Sequence, residues 1–334
     1  MRREDPREFI EQLTRRTVRK HISARDKILV ETVFSVAPTQ AQLDRCLDIC
    51  DIEVMGGYKS LMLSYLMKER PELAFSDYNR PRLEGLIRYY RFANARVLSH
   101  FSKIGKVLNR EGIPILLLKG VVLKALRPEL ARPMGDADFL VPKERLCDAV
   151  RVCESLGYHN ADTGALMAVD IHTKDGQSAV DIHASIPSCG HVSEIFQKNV
   201  IGRARVIQAF GVEALCPAPE DLVFIIFANV IKNMRLATTP SSLYYSLLDC
   251  RWLLQTANAF DWDIVRRNAI DTGSEIFISL AVELLNQIVP GVVPASEIPV
   301  PSHGYGYCKK ILADEDYFHQ RAKAQHWARQ VHIA

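Results

Sequence analysis

Two carboxylates one residue apart, Asp136 and Asp138, open the apolar run Phe139-Leu140-Val141. A strand sends residues i and i+2 to the same face. A strand starting here would therefore hold both acids side by side while its apolar remainder is anchored in a core. Like charges on one face of a short strand repel each other. A fold that buries this run must supply a counter-charge, and a divalent cation between hard oxygen donors would turn the repulsion into attraction. Upstream, Ile113-Pro114-Ile115-Leu116-Leu117-Leu118 is a continuous apolar run ending at Lys119-Gly120. It reads as a buried strand leading into a turn. Arg132 lies between that turn and the acid pair.

Around this centre the hydrophobic period changes twice. Residues 7–110 repeat apolar side chains at three and four and read as helices broken near Pro71, Asp77 and Pro81. From Ile113 the pattern becomes strand (113–118), helix (120–126), strand (136–141) and helix (143–156, ended by Gly157). Two further strands follow at 165–173 and 178–186. Helical spacing resumes after Glu194, with a short extended piece expected within 205–215. The segments 219–232, 241–257, 261–272 and 274–289 read as successive helices, with Asp261 and Asp271 as candidate caps. The expected organisation is an N-terminal helical region (1–110), an α/β core (111–190), a C-terminal helical region (191–300) and a polar tail (301–334).

Val-Asp-Ile-His occurs twice, at 169–172 and 180–183, flanking Lys174-Asp175-Gly176-Gln177. Asp-Gly is a strong hairpin signal. A two-residue turn at Asp175-Gly176 would set Asp170 opposite Asp181 and His172 opposite Ala179. Asp170, His172, Asp181 and His183 would then share one face, and the valines and isoleucines the other. Such a face binds a cation, raises a carboxyl pKa, meets a basic residue or is simply solvated. Two imidazoles with two carboxylates would also suit zinc or iron.

The bulk numbers narrow the rest. A net charge of +3 over 334 residues argues against a dedicated nucleic-acid binder. The longest apolar run, 222–231, falls far short of the ~20 residues of a membrane helix, and no apolar leader follows Met1, so a soluble chain is expected. Eight scattered cysteines form no CxxC pair or zinc array. Cys46 and Cys50, at i and i+4 in a helical pattern, read as buried free thiols, and reduced thiols point to the cytoplasm. No Walker-type or Gly-x-Gly-x-x-Gly loop is present. Tyr158, Trp252 and Trp262 read as core packing.

The acid pair at a strand start, a glycine turn before it and a third carboxylate on a later strand resemble the nucleotidyltransferase (DNA polymerase β-like) superfamily. The chain is more similar to a branch of uncharacterised bacterial nucleotidyltransferase-like proteins. The likeness rests on Leu118-Lys119-Gly120, Arg132, Asp136-x-Asp138-x-Leu140-Val141, Leu156-Gly157-Tyr158 and Val180-Asp181-Ile182-His183. Pro219-Glu220-Asp221-Leu222, Leu248-Asp249 and Asp261-Trp262 extend it over residues 40–290. Two departures stand out. Lys119-Gly120 replaces the Gly-Gly or Gly-Ser of the wider superfamily, and Asn229 and Asn233 stand where the branch tends to carry histidines.

The resemblance implies an α+β fold: a small mixed β-sheet core with two helices, flanked by helical regions. It implies transfer of a nucleoside monophosphate from a nucleoside triphosphate, ATP among the candidates, to a hydroxyl of a small molecule, peptide or protein. Asp136, Asp138 and Asp181 would hold Mg²⁺ (Mn²⁺ as the alternative), with Asp170 a rival for the third place. Lys119, Gly120 and Arg132 would meet phosphate, Gly120 by close backbone approach, unless Arg132 is a structural partner of Asp136 or Asp138. His183 would orient the acceptor or act as a base. The rival readings are a non-catalytic nucleotide- or protein-binding module, toxin- or antitoxin-like, and a transferase using a nucleotide-sugar donor.

Overall fold

A computed structural model describes residues 10–294, apart from 13, 16–17, 19–21, 36, 50–56, 130–131, 162–167, 187–192, 236–240 and 258. The polar tail, the Pro-rich stretch after 294, the first residues of the expected strand 165–173, Cys50, Cys189 and Cys308 lie outside them, as does the side chain of Asn233. The N-terminal region forms α1 (Ala24–Phe34), α2 (Gln40–Ile49), α3 (Gly57–Glu69) and α4 (Asn79–Arg110). The core elements are β1 (Leu116–Leu117), α5 (Lys119–Leu126), β2 (Ala137–Leu140), α6 (Leu146–Ser155), β3 (His159–Ala161), β4 (Ala168–His172) and β5 (Ser178–His183). Then come α7 (Glu194–Arg203), β6 (Arg205–Ala209), β7 (Val212–Cys216), α8 (Pro219–Arg235), α9 (Ser241–Thr256), α10 (Trp262–Asp271) and α11 (Glu275–Ile288).

The strands form one mixed sheet in the order β3-β4-β5-β2-β1-β7-β6. The fold is thus α+β, with the two core helices α5 and α6 where the hydrophobic spacing sets them. The short extended piece expected near 205–215 is a full hairpin, β6–β7, whose second strand runs parallel to β1. The sheet therefore draws two strands from beyond residue 190. β2 runs parallel to β5 at the sheet's centre, with Ala137 opposite Val180, Asp138 opposite Asp181 and Phe139 opposite Ile182. Alternation then separates the faces. Phe139, Val180 and Ile182 are fully buried on one, and Asp138, Asp181 and His183 lie on the other.

The apolar face is covered by α4. This helix buries Leu83, Ile87, Asn94, Val97, Phe101, Ile104 and Leu108 at helical spacing. The Phe101 ring meets Phe139 edge-on at 5.6 Å. Gly105 lets the helix approach β7 closely. A Cβ there would lie 2.8 Å from both methyls of the buried Val212.

The 174–177 turn differs from the expected one. The Gly176 N–H donates to Thr173 O at 2.9 Å with Gly176 at φ +77°, closing a three-residue loop. A type I turn followed by a left-handed glycine is the favoured chemistry for that loop length. His172 consequently pairs with Ser178 rather than Ala179. A register shift next to it, between Ile171 and His172, restores Asp170 opposite Asp181. β3 pairs outside β4, so the hairpin lies inside the sheet rather than at its edge.

The C-terminal helices are locked by a buried acid of the Pro219-Glu220-Asp221-Leu222 segment. Asp221 is fully buried and accepts from Arg203 at 2.6 and 3.0 Å and from the Asn268 amide at 2.8 Å. Asp261 caps α10 by accepting from the Asp263 N–H at 2.9 Å. Asp271 caps nothing: it ends α10, and the next helix starts after Ser274. Leu156-Gly157-Tyr158 closes α6, with Gly157 at φ +85° and the Tyr158 N–H donating to Cys153 O. Tyr158 is buried, and Trp252 and Trp262 pack against the core. Among the described residues Cys46, Cys153, Cys216 and Cys250 are buried free thiols and Cys147 is exposed. No helix among those residues is long and apolar enough to cross a membrane.

Two glycines of α4 should respond oppositely to alanine. Gly85 is exposed with nothing near its missing Cβ, so Gly85→Ala should stabilise by up to about 1 kcal/mol through helix propensity. Gly105→Ala meets stiff Val212 methyls and should destabilise by about 1–2 kcal/mol despite that gain. Urea denaturation of both variants checks the pair; a stabilised Gly105→Ala would contradict the close approach.

Candidate active site

Parallel pairing of β2 with β5 sets Asp138 beside Asp181, and His183 follows two residues later on the same face. Ligand atoms of these three side chains lie within 4.8 Å of one another. His183 Nε2 is 3.1 Å from Asp138 Oδ1 and 3.1 Å from Asp181 Oδ2. Asp138 and His183 are almost wholly buried, whereas the Asp181 side chain is 21% exposed. Lys119, the first residue of α5, donates from Nζ to Asp138 Oδ1. Its backbone sits in the left-handed region at φ +45°, a strained conformation for a residue with a Cβ.

Burial drives the electrostatics. It pushes the Asp138 carboxyl up, but hydrogen bonds and charge from His183 and Lys119 outweigh it and hold the group below the usual range. Burial pulls the Lys119 ammonium down; Asp138 first, then Asp181 and Asp136, raise it above its ordinary value. His183 is likewise depressed by burial and raised on balance by its bonds to Asp138 and Asp181. Asp136 is compensated only in part. Burial and the neighbouring Asp138 push it up to about 6, with Lys119 opposing. The face therefore carries an excess of negative charge.

A family model for uncharacterised nucleotidyltransferases matches residues 60–290. The chain belongs to that family. The solution structure of the antibiotic-resistance factor ANT(2'')-Ia is similar to it at a TM-score of 0.39, with 14% identity, over 53% of this chain and 91% of that one. No curated protein sequence matches it.

The expected residues separate into groups. Asp138, Asp181, His183 and Lys119 converge. Asp136 precedes β2, is half-buried and lies outside the converging trio, although its raised pKa reports the nearby charges of Asp138, Asp181 and Asp170. Asp170 accepts or shares a hydrogen bond with His172 Nε2 at 2.9 Å, which sets His172 apart from the other imidazole.

Arg132 does not pair with Asp136 or Asp138. Its Nε donates to Asp249 of α9 at 3.1 Å, and the guanidinium lies 5.1 Å from the centre of the Tyr245 ring. Gly120 makes room for that guanidinium: a Cβ would lie 2.6 Å from Arg132 Nη1. Arginine is thus the group packed closest against this glycine.

Two further residues position the site: Asn94, which carries little sequence signal, and Asp249, which the sequence likeness includes without assigning it a role. Asn94 is a lone buried polar residue on the apolar face of α4. Its amide donates to Arg132 O at 2.6 Å, and its Oδ1 accepts from the Met134 N–H at 3.0 Å. It thereby ties the loop leading to Asp136 onto the helix. A polar residue breaking the apolar stripe of α4 was the available clue. Asp249 is buried, and burial raises its carboxyl to about 6 despite Arg132.

The raised Asp136 carboxyl has a definite pH consequence in metal-free protein. Between the ordinary carboxyl pKa and about 6 the native state binds more protons than the unfolded state. Stability therefore falls as pH rises through that window. Asp136→Asn should be more stable than the parent by about 1–2 kcal/mol at pH 8 and should lose that advantage by about pH 4. Denaturation in EDTA at both pH values tests this, and equal stabilities at pH 8 would refute it.

Proposed function

We propose that the chain moves a nucleoside monophosphate from a nucleoside triphosphate to an acceptor hydroxyl, with a divalent cation as cofactor. The observation that carries the reading is the in-register pair Asp138 and Asp181 on adjacent parallel strands, bordered by Lys119, within a nucleotidyltransferase family. The donor set fits a hard divalent cation. Two carboxylates from neighbouring strands supply oxygen, and the surrounding charge excess favours a cation. Mg²⁺ suits such a pair when phosphate completes its shell, and Mn²⁺ would also accept the imidazole. Asp138 and Asp181 would hold the ion, with Asp136 joining from the loop before β2. When bound, the ion neutralises triphosphate charge and lowers the pKa of the acceptor hydroxyl.

The chain's own groups do the rest by positioning and charge. The acceptor oxygen bonds to the α-phosphorus as the bond to the bridging oxygen breaks, and that electron pair leaves with pyrophosphate. The acceptor's proton passes to Asp181, the more exposed of the two strand carboxylates. Lys119 shifts from Asp138 to the incoming polyphosphate as a compact ammonium. Arg132 stays paired with Asp249 in the wall beside Lys119. His183 acts as a positioning residue, because Nε2 is committed to Asp138 and Asp181.

The test is pyrophosphate release from mixed nucleoside triphosphates in the presence of fractionated metabolites and peptides, with product masses read by mass spectrometry. Release should require Mg²⁺ or Mn²⁺ and stop in EDTA. Asp138→Asn and Asp181→Asn should each lower it at least about 100-fold, and Lys119→Met about tenfold or more. Full activity of Asp138→Asn on an identified acceptor would sink the metal role. Metal-independent nucleotide binding without release favours the binding module, and a product heavier by a sugar favours the nucleotide-sugar reading.

A further inference from the structure

A cavity of about 180 Å³ opens beside the acidic cluster, between α5, α8 and α9. Lys119 borders both, so a ligand whose phosphates meet the cluster enters the cavity with its other end. We propose that this cavity takes the nucleobase of the donor nucleotide, that the side-chain amide of Asn229 reads the base's hydrogen-bonding edge, and that adenine is the base it fits. The inference rests on the nucleotidyl-transfer reading above.

The size admits a ring and little more. Whole small-molecule ligands occupy roughly 300–1,000 Å³, whereas a cavity of about 150 Å³ accepts a benzene-sized ring. Its walls suit a flat apolar face: Leu123, Ile225 and Ile226 are aliphatic, and Tyr245 adds an aromatic ring. Its charges are already matched, since Arg132 pairs with Asp249 and Lys119 with Asp138 of the neighbouring cluster. The cavity therefore does not call for a charged occupant, which argues against a second phosphate or a charged acceptor group.

Asn229 is different. It is half-buried on α8 and lines the cavity. Among the described residues no group hydrogen-bonds to its amide. Polar groups that become buried normally have partners, and an asparagine lining an open space offers an incoming ligand a donor and an acceptor side by side. Asparagine pairs in that manner with the N6 amino group and N7 of adenine, two bonds in one plane.

Calorimetric titration of the full chain in Mg²⁺ with ATP, GTP, CTP, UTP and inorganic tripolyphosphate tests the idea. ATP should bind at least about tenfold tighter than tripolyphosphate and tighter than the other three nucleotides. Asn229→Ala should weaken ATP about tenfold and leave tripolyphosphate unchanged. The uncharged, similarly sized Asn229→Leu, which removes both donor and acceptor, should do the same and serves if the alanine variant fails to fold. Tripolyphosphate binding as well as ATP, a preference for another base, or an Asn229→Ala loss shared equally by tripolyphosphate overturns the proposal alone. Failure of every nucleotide and of tripolyphosphate to bind overturns the nucleotidyl-transfer reading, and the proposal with it.

Discussion

Asp138 is buried, ionised and in register with a second carboxylate on the neighbouring strand, and the centre of the molecule is organised around making that arrangement tolerable. An unpaired buried charge costs several kcal/mol. Here Lys119 and His183 supply the compensation, each from a different element: the first turn of α5 and the end of β5. Removing either partner without another cation taking its place would expose that cost. Lys119 holds its ammonium in place by adopting a left-handed backbone conformation, which glycine would take without strain. The strain is consistent with an ammonium that matters at that position more than backbone ease does.

Around this centre the remaining parts fix geometry. Asn94 ties the 132–134 loop to α4, and Asp249 draws Arg132 away from the carboxylates onto Gly120 and Tyr245. The helical region thus reaches into the core through an ion pair, while Asp221 with Arg203 and Asn268 keeps α7, α8 and α10 in register with one another. The cavity beside Lys119 lies between α5, α8 and α9, two of which these anchors touch.

Local pattern revealed much of this architecture in advance. Continuous apolar runs mark β1 and β2, helical spacing marks α5 and α6, and the repeated Val-Asp-Ile-His brings Asp170 opposite Asp181. What stayed hidden is non-local or conformational. β6 has mostly exposed side chains, so its alternation is faint, and the parallel pairing of β7 with β1 joins segments about a hundred residues apart. The Arg132–Asp249 bond spans 117 positions. The three-residue loop at 174–176 turned on a single left-handed glycine, and the shift beside it happened to preserve the acid pair. Asp136 precedes its strand, so the period of two that links it to Asp138 does not reach it.

The long helix α4 has one more implication. Asn94, which holds the loop before Asp136, and Gly105, which seats the helix on β7, are separated by about three helical turns and so face the same side. A single stiff rod therefore gauges the distance between the far half of the sheet and the loop that delivers an acid to the site. Crowding at the glycine need not stay local. It would tilt or lift the rod, and the displacement would arrive at the asparagine as a change in loop position. The apolar back of the sheet is in this sense a calibrating surface for the acidic front.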